Sequence, residues 1–171
     1  AHTITAANNQ RAFNISNGGT LEIKDSVGKG IIRGNGTVTG HGGAIYMKGS
    51  GSALTISGGT IQGFTASTSG GGVYMSDGTF IMTGGAIENC TAPEGAGVEM
   101  YPDSGNTCTF TMSDSAEIKN CSNNGVSIAW SGTSKFIMSG GTIDNNKGYG
   151  LWTSSGSNTE ITLSGGTITN S

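Results

Sequence analysis

The chain has 171 residues, which bounds it at one domain of ordinary size. Glycine accounts for 32 residues and proline for only 2, and Gly does not recur at every third position, which excludes collagen and a polyproline linker. Only 11% of residues are charged, with a net charge of −3 and no basic stripe, which argues against nucleic acid; no apolar run reaches the ~20 residues of a membrane helix.

The chain opens Ala1-His2-Thr3, as a processed mature end or a trimmed chain would. His2-Thr3-Ile4-Thr5 reads as a first strand with no earlier partner. Ala12 to Ile15, Gly19 to Ile23 and Gly30 to Arg33 follow as strands of an irregular N-terminal region, residues 1–50. Gly43-Ala44-Ile45-Tyr46-Met47 closes that region, with Ile45 and Met47 on one side and Tyr46 on the other.

A phrase then repeats through residues 51–171. It reads Leu54-Thr55-Ile56-Ser57-Gly58-Gly59-Thr60-Ile61 and returns from Phe80, Phe136 and Ile161. A degenerate copy starts at Phe110, with Asp114-Ser115 for the Gly pair and one extra residue. The starts at 54, 80, 110, 136 and 161 give steps of 26, 30, 26 and 25, a repeat length that marks a solenoid. Within each copy, Phe80/Met82, Phe110/Met112 and Phe136/Met138 alternate with their neighbours at period 2, the signature of a half-buried strand. The Gly pair reads as a turn, and a second strand carries Ile61, Ile87, Ile118, Ile143 or Ile168. A third strand carries Val73/Met75, Val98/Met100 and Val126/Ile128 facing inward.

The pattern predicts an all-β fold, a parallel β-helix (β-solenoid) of about six coils, each of roughly 25–30 residues with three short strands. The whole chain, 1–171, is expected to form a single solenoid domain. At one strand spacing per coil it makes a rod about 30 Å long.

Two residues after each Ile stands Asn89, Asn120, Asn145 or Asn170, with Gly63 in the first copy. Asn and Gly best tolerate a left-handed corner, and stacked Asn amides can form a ladder. Gln62, Glu88, Lys119, Asp144 and Thr169 share the preceding position, so Glu88–Lys119–Asp144 reads as a charge ladder and not as a catalytic acid pair. Cys90 and Cys121 hold one phase on adjacent coils. They suit a stack of two small thiols or, less well, a disulfide, because directly stacked side chains aim alike. Cys108 has no partner in phase. Neither the three Cys nor the distant His2 and His41 form a zinc pattern, and no cofactor or metal is expected.

Outward positions of the third strand form the column Tyr46, Tyr74, Glu99, Ser127, Trp152, with Trp130 in a turn beside it. Tyr46, Tyr74, Trp130 and Trp152 are candidate glycan contacts, weighed against simple aromatic packing between rungs.

The repeat resembles the Gly-Gly-rich right-handed β-helix repeats of secreted and wall-attached bacterial surface proteins, and Gly42-Gly43-Ala44-Ile45 is similar to the short motif of chlamydial polymorphic outer-membrane proteins. The resemblance covers about residues 12–171 and implies an extracellular or cell-surface role of the adhesin or autotransporter-passenger type. A solenoid leaves a strand edge at each end, and neither end shows an amphipathic helix to cover it. Ile4 and Ile168 are therefore candidate end-to-end contacts, by which copies would stack head to tail into a filament. The expected function is a non-enzymatic structural rod or fibre subunit. An adhesin module binding glycan or a host surface is the alternative, and a carbohydrate-active enzyme fragment the least favoured reading.

Overall fold

The structure is a computed structural model and describes residues 2–129, 132–154 and 158–169. Among the described residues every element is a strand, and every strand pairing is parallel.

The main face is built from β1 (Thr3–Thr5), β3 (Thr20–Ile23), β4 (Ile31–Arg33), β7 (Ala53–Gln62), β10 (Gly78–Glu88), β12 (Thr107–Met112), β13 (Glu117–Lys119), β15 (Thr133–Asp144) and β17 (Asn158–Ile168). A second face stacks β2 (Phe13–Ser16), β6 (Ile45–Lys48), β9 (Val73–Met75), β11 (Val98–Met100), β14 (Val126–Ile128) and β16 (Leu151–Thr153). The third side is slight: β5 (Thr37–Val38) pairs β8 (Thr65–Ala66), and single bridges join Thr65 to Thr91 and Ser69 to Glu94.

Each repeat phrase is one rung. Phe80 pairs in register with Leu54 below and Phe110 above, and Phe110 with Phe136. A position therefore becomes a column, and hydrophobic residues at a fixed phase become a core that runs the length of the rod. Phe80 and Phe110 stack with ring centroids 4.4 Å apart and planes 5° from parallel. Ile61, Ile87, Ile118 and Ile143 form a second buried column, and Met47, Met75 and Met100 line the opposite wall.

The Gly pair does not divide two strands as the sequence reading expected. In β7, β10, β15 and β17 the strand runs through the pair and bends there, with register shifts between β7 and β10 and between β15 and β17. The second glycine of each pair has φ between 76° and 90°, a conformation that lets one strand turn a corner without ending. A Cβ on Gly85 would lie 2.5 Å from the Gly59 carbonyl oxygen of the rung below, so rung-to-rung contact also demands glycine. Where Asp114-Ser115 replaces the pair, Asp114 takes φ 51° and the strand does break, into β12 and β13. A loop likewise separates β3 from β4, and the Asp25 carboxylate organises it by accepting from the Gly30 N–H at 2.6 Å and the Val27 N–H at 3.0 Å.

Candidate functional site

Three regions depart from the plain rung: the corner ladders, the outer side of the second face, and the two ends.

At the corner after each Ile, Asn89, Asn120 and Asn145 adopt φ of 55°, 58° and 49°, and Gly63 adopts 67°. The Asn145 amide Nδ2 donates to Asn120 Oδ1 at 2.6 Å. Asn170 lies outside the described residues. One position earlier, a polar ladder climbs the rod. Arg33 Nη2 donates to Gln62 Oε1 at 3.0 Å, and Gln62 Nε2 donates to Glu88 Oε1 at 2.7 Å. Lys119 Nζ lies 3.9 Å from Glu88 and 2.5 Å from Glu117, whose carboxylate holds the Lys119 pKa above its usual value. The acids Glu88 and Asp144 thus flank a cation in register on successive rungs.

One position later, Cys90, Cys121 and Asn146 form an inward column above Phe64. Both cysteines are free thiols and fully buried, and the sulfurs donate to the carbonyls of Glu88 and Lys119 at 3.4 Å. The thiol stack is the arrangement present. Hydrogen bonding to Cys121, together with burial, pushes the Cys90 thiol up. Asn146 caps the column: its Oδ1 accepts from the Cys121 N–H at 3.0 Å and its Nδ2 donates to the Ile118 carbonyl at 3.2 Å. Cys108 is free and buried apart from this pair. Among the described residues no group of His, Cys, Asp and Glu is placed to hold a metal.

On the second face the outward column does not face open solvent throughout. A turn folds across it just before β6, β9 and β11, with Gly42, Gly70 and Gly95 in left-handed conformation lying against Tyr46, Tyr74 and Glu99. Tyr74 is consequently only 6% exposed. Its ring stacks on Tyr46 at 5.3 Å, on Tyr101 at 6.4 Å and against His41 at 4.5 Å. Arg11 lies over the Tyr46 ring, with its guanidinium carbon 4.9 Å from the ring centre. This burial corrects the expectation that Tyr74 offers a free ring to a sugar; its faces are occupied by protein. Trp152 and Tyr149 remain open, at 38% and 64% exposure. Trp130 lies outside the described residues.

Glu99 is the site that sequence reasoning missed. It is 1% exposed, and its Oε2 has no hydrogen-bond partner. Burial, reinforced by the charge of Glu94, pushes its carboxyl up to about 8, against a smaller opposing effect of the Ser127 hydroxyl. At neutral pH it is therefore a neutral acid. The signal in the sequence was Gly95 four residues earlier, at the spacing of Gly70 to Tyr74, which places the turn over the side chain. Burial also lowers the His41 pKa, with help from the charge of Arg11, and His41 Nδ1 lies 2.7 Å from Ser69 Oγ.

The ends are apolar. Among the described residues β17 pairs with β15 alone, and Ile161, Leu163 and Ile168 are 37%, 55% and 37% exposed although their columns are buried one rung earlier. At the N-terminal end Ile4 is 63% exposed. A groove of about 500 Å³ opens there, with Ile4, Phe13, Leu21, Ile23 and Ile32 in its wall.

A solenoid of parallel rungs with a Gly-bent main face and an apolar axis defines the class. The family model of the right-handed β-helix region matches residues 2–168, and the chain belongs to that family. Right-handed β-helix domains occur in enzymes and in non-enzymes alike, so membership leaves the chemistry to the individual site. No curated protein and no solved structure matches the chain.

Proposed function

We propose that the chain is a non-enzymatic structural β-solenoid of a bacterial-type cell surface, a rod that lengthens by end-to-end stacking of copies. The observation that carries this reading is the register of the two ends. Leu21, Ile23 and Ile32 at one end belong to the same three columns as Ile161, Leu163 and Ile168 at the other, because β3 and β4 pair with β7 in the register by which β17 pairs with β15. A rod with matching apolar columns at both ends makes a heterologous contact, which extends without closing. The extracellular setting follows from the resemblance to surface β-helix repeats. The non-enzymatic part is supported by the placement of the acids: Glu99 is sealed beneath Gly95, and Lys119 stands between Glu88 and Asp144. Sedimentation velocity over a dilution series tests the reading. Stacking gives a ladder of species that grows with concentration, and a monomer at every concentration would overturn it.

A second reading has one observation in its favour. Trp152, on the last described strand of the second face, and Tyr149, two residues before that strand, both stand exposed, as aromatic faces for a sugar ring would. An oligosaccharide array with the native chain and Trp152→Ala separates the two: binding lost in the variant supports adhesion to glycan, and no binding by either removes it.

A further inference from the structure

Three straps of backbone cross the outer side of the second face, and what lies beneath them differs. Tyr46, Tyr74 and Glu99 share one column, in register on β6, β9 and β11. Gly42 and Gly70 press on the two tyrosines, and Gly95 presses on an acid. A ring tolerates an apolar cover, whereas a carboxyl tolerates it only while uncharged.

The surroundings of Glu99 make its charge costly. Tyr74 lies in register below it and Ser127 in register above, where the Ser127 hydroxyl accepts from Asn124 Nδ2 at 3.0 Å. Glu94 stands on the strap itself, and its charge acts on Glu99 in the same direction as burial. Beyond Tyr74 lie the Tyr101 ring, the charge of Asp103 and the His41 ring. Arg11 is two rungs below, over Tyr46. An ionised Glu99 therefore meets a like charge on the strap and leaves Oε2 buried with no partner.

The strap is lightly held. Of residues 92–96, Pro93 and Glu94 are exposed, and the buried side chains are those of Ala92 and Ala96. Below, the Gly70 N–H donates to the Glu94 carbonyl at 3.1 Å and the Gly72 N–H to the Ala96 carbonyl at 3.0 Å. Above, Asn123 Nδ2 donates to the Pro93 carbonyl, the Ala92 N–H donates to Ser122 Oγ at 3.3 Å, and the Gly97 N–H donates to the Asn124 carbonyl at 3.2 Å. Both ends are anchored in the core, at Cys90 before the strap and Val98 after it, so the segment between can lift without disturbing either column.

We propose that residues 92–96 form a proton-controlled lid over Glu99, shut while the carboxyl is protonated and lifting as a local unit when the proton passes to water. The lid is independent of end-stacking, since it lies within the rod. The sign follows from linkage. The shut state holds the proton up to about pH 8, and the lifted state releases it like an ordinary carboxyl, with a pKa of 4.5. Lifting therefore becomes more favourable as pH rises between those values, by up to about tenfold per pH unit, and is level above them. The lifted lid brings a carboxylate and the covered side of Tyr74 to the surface, turning an uncharged stretch of the rod into an anionic aromatic one.

Hydrogen exchange followed by NMR on the 171-residue chain at pH 5, 6.5, 8 and 9 tests the lid, each rate being divided by the intrinsic rate at that pH. The Gly70, Gly72 and Gly97 amides report on the strap, and the Phe110 amide reports on the core. The strap amides should lose protection from pH 5 to 8 and hold level to pH 9. Their exchange should be indifferent to low urea, while Phe110 exchanges more slowly and accelerates with urea as global unfolding does. Glu99→Gln should keep the strap amides protected at every pH, and Glu94→Gln should bring the level region to lower pH. Gly95→Ala, checked for native circular dichroism, should leave the strap amides unprotected throughout. Strap amides that exchange at the Phe110 rate with its urea dependence would mean that the strap does not lift alone. A loss of protection with pH that survives Glu99→Gln would mean that another group drives it. Either result overturns the lid.

Discussion

The carboxyl of Glu99 is pressed against the α-carbon of Gly95: a Cβ at Gly95 would lie 2.2 Å from Glu99 Oε2 and 2.9 Å from the Glu99 α-carbon. The turn, at φ 49°, seals the acid from water, and its Oε2 is left without a partner. A buried polar group in that state weakens the fold by an amount that depends on its charge.

The pH dependence follows directly. Glu99 ionises near 8 in the fold and near its ordinary 4.5 when unfolded. Between those values the unfolded chain releases a proton that the fold retains, so this residue's contribution to stability falls as pH rises from about 4.5 to 8 and is level above that window. Glu99→Gln should remove the slope and stabilise the chain at pH 8 by on the order of 1–3 kcal/mol. Urea unfolding of both proteins at pH 5, 6.5 and 8 measures it. Parallel curves at all three values would show that Glu99 is not buried as a neutral acid.

Among the second glycines of the Gly pairs, Gly85 is the most closely approached, with φ 76° and the Gly59 carbonyl oxygen in the space a side chain would need. Gly85→Ala should cost about 2–4 kcal/mol, more than left-handed strain alone, because the two rungs must separate. The same substitution at Gly28, with φ 73° but open space around it, should cost about 1 kcal/mol. Equal losses at the two sites would mean that rung contact contributes nothing.

The thiols make a chemical prediction. Cys90, Cys108 and Cys121 are buried and free, and burial, aided by Asp77 and Asp103, pushes Cys108 up. All three should resist a thiol reagent in the native chain and react together on unfolding. The melting temperature should be the same with and without reductant. A fall of several degrees on reduction would reveal a Cys90–Cys121 disulfide in solution.

Phe110 sits between Phe80 and Phe136 at ring distances of 4.4 and 5.3 Å, fully buried. Phe110→Ala should cost about 3–5 kcal/mol and leave a void that interrupts the aromatic column. Thermal unfolding measures the loss, and a change under 1 kcal/mol would be inconsistent with a packed axis.

Much of this architecture could be read from residue spacing. Phe80, Ile87 and Val98 recur at phases that fix columns, and parallel stacking turns columns into a core, so the solenoid follows from periodicity alone. The Gly pair was harder. Two glycines look like the end of a strand, but Gly59 and Gly85 hold a bulge inside one, which depends on the partner rung and not on local sequence. Burial of Tyr74 and Glu99 was also hidden, because alternation assigns them to the outside and only the fold of the preceding turn covers them.

The most direct measurement is electron microscopy with fibre diffraction on the concentrated 171-residue chain. End-to-end stacking of solenoids should give unbranched filaments one rod wide, with a meridional reflection near 4.8 Å that continues the rung spacing across the joints. Discrete particles about one rod long at the highest attainable concentration, with no such reflection, would contradict it.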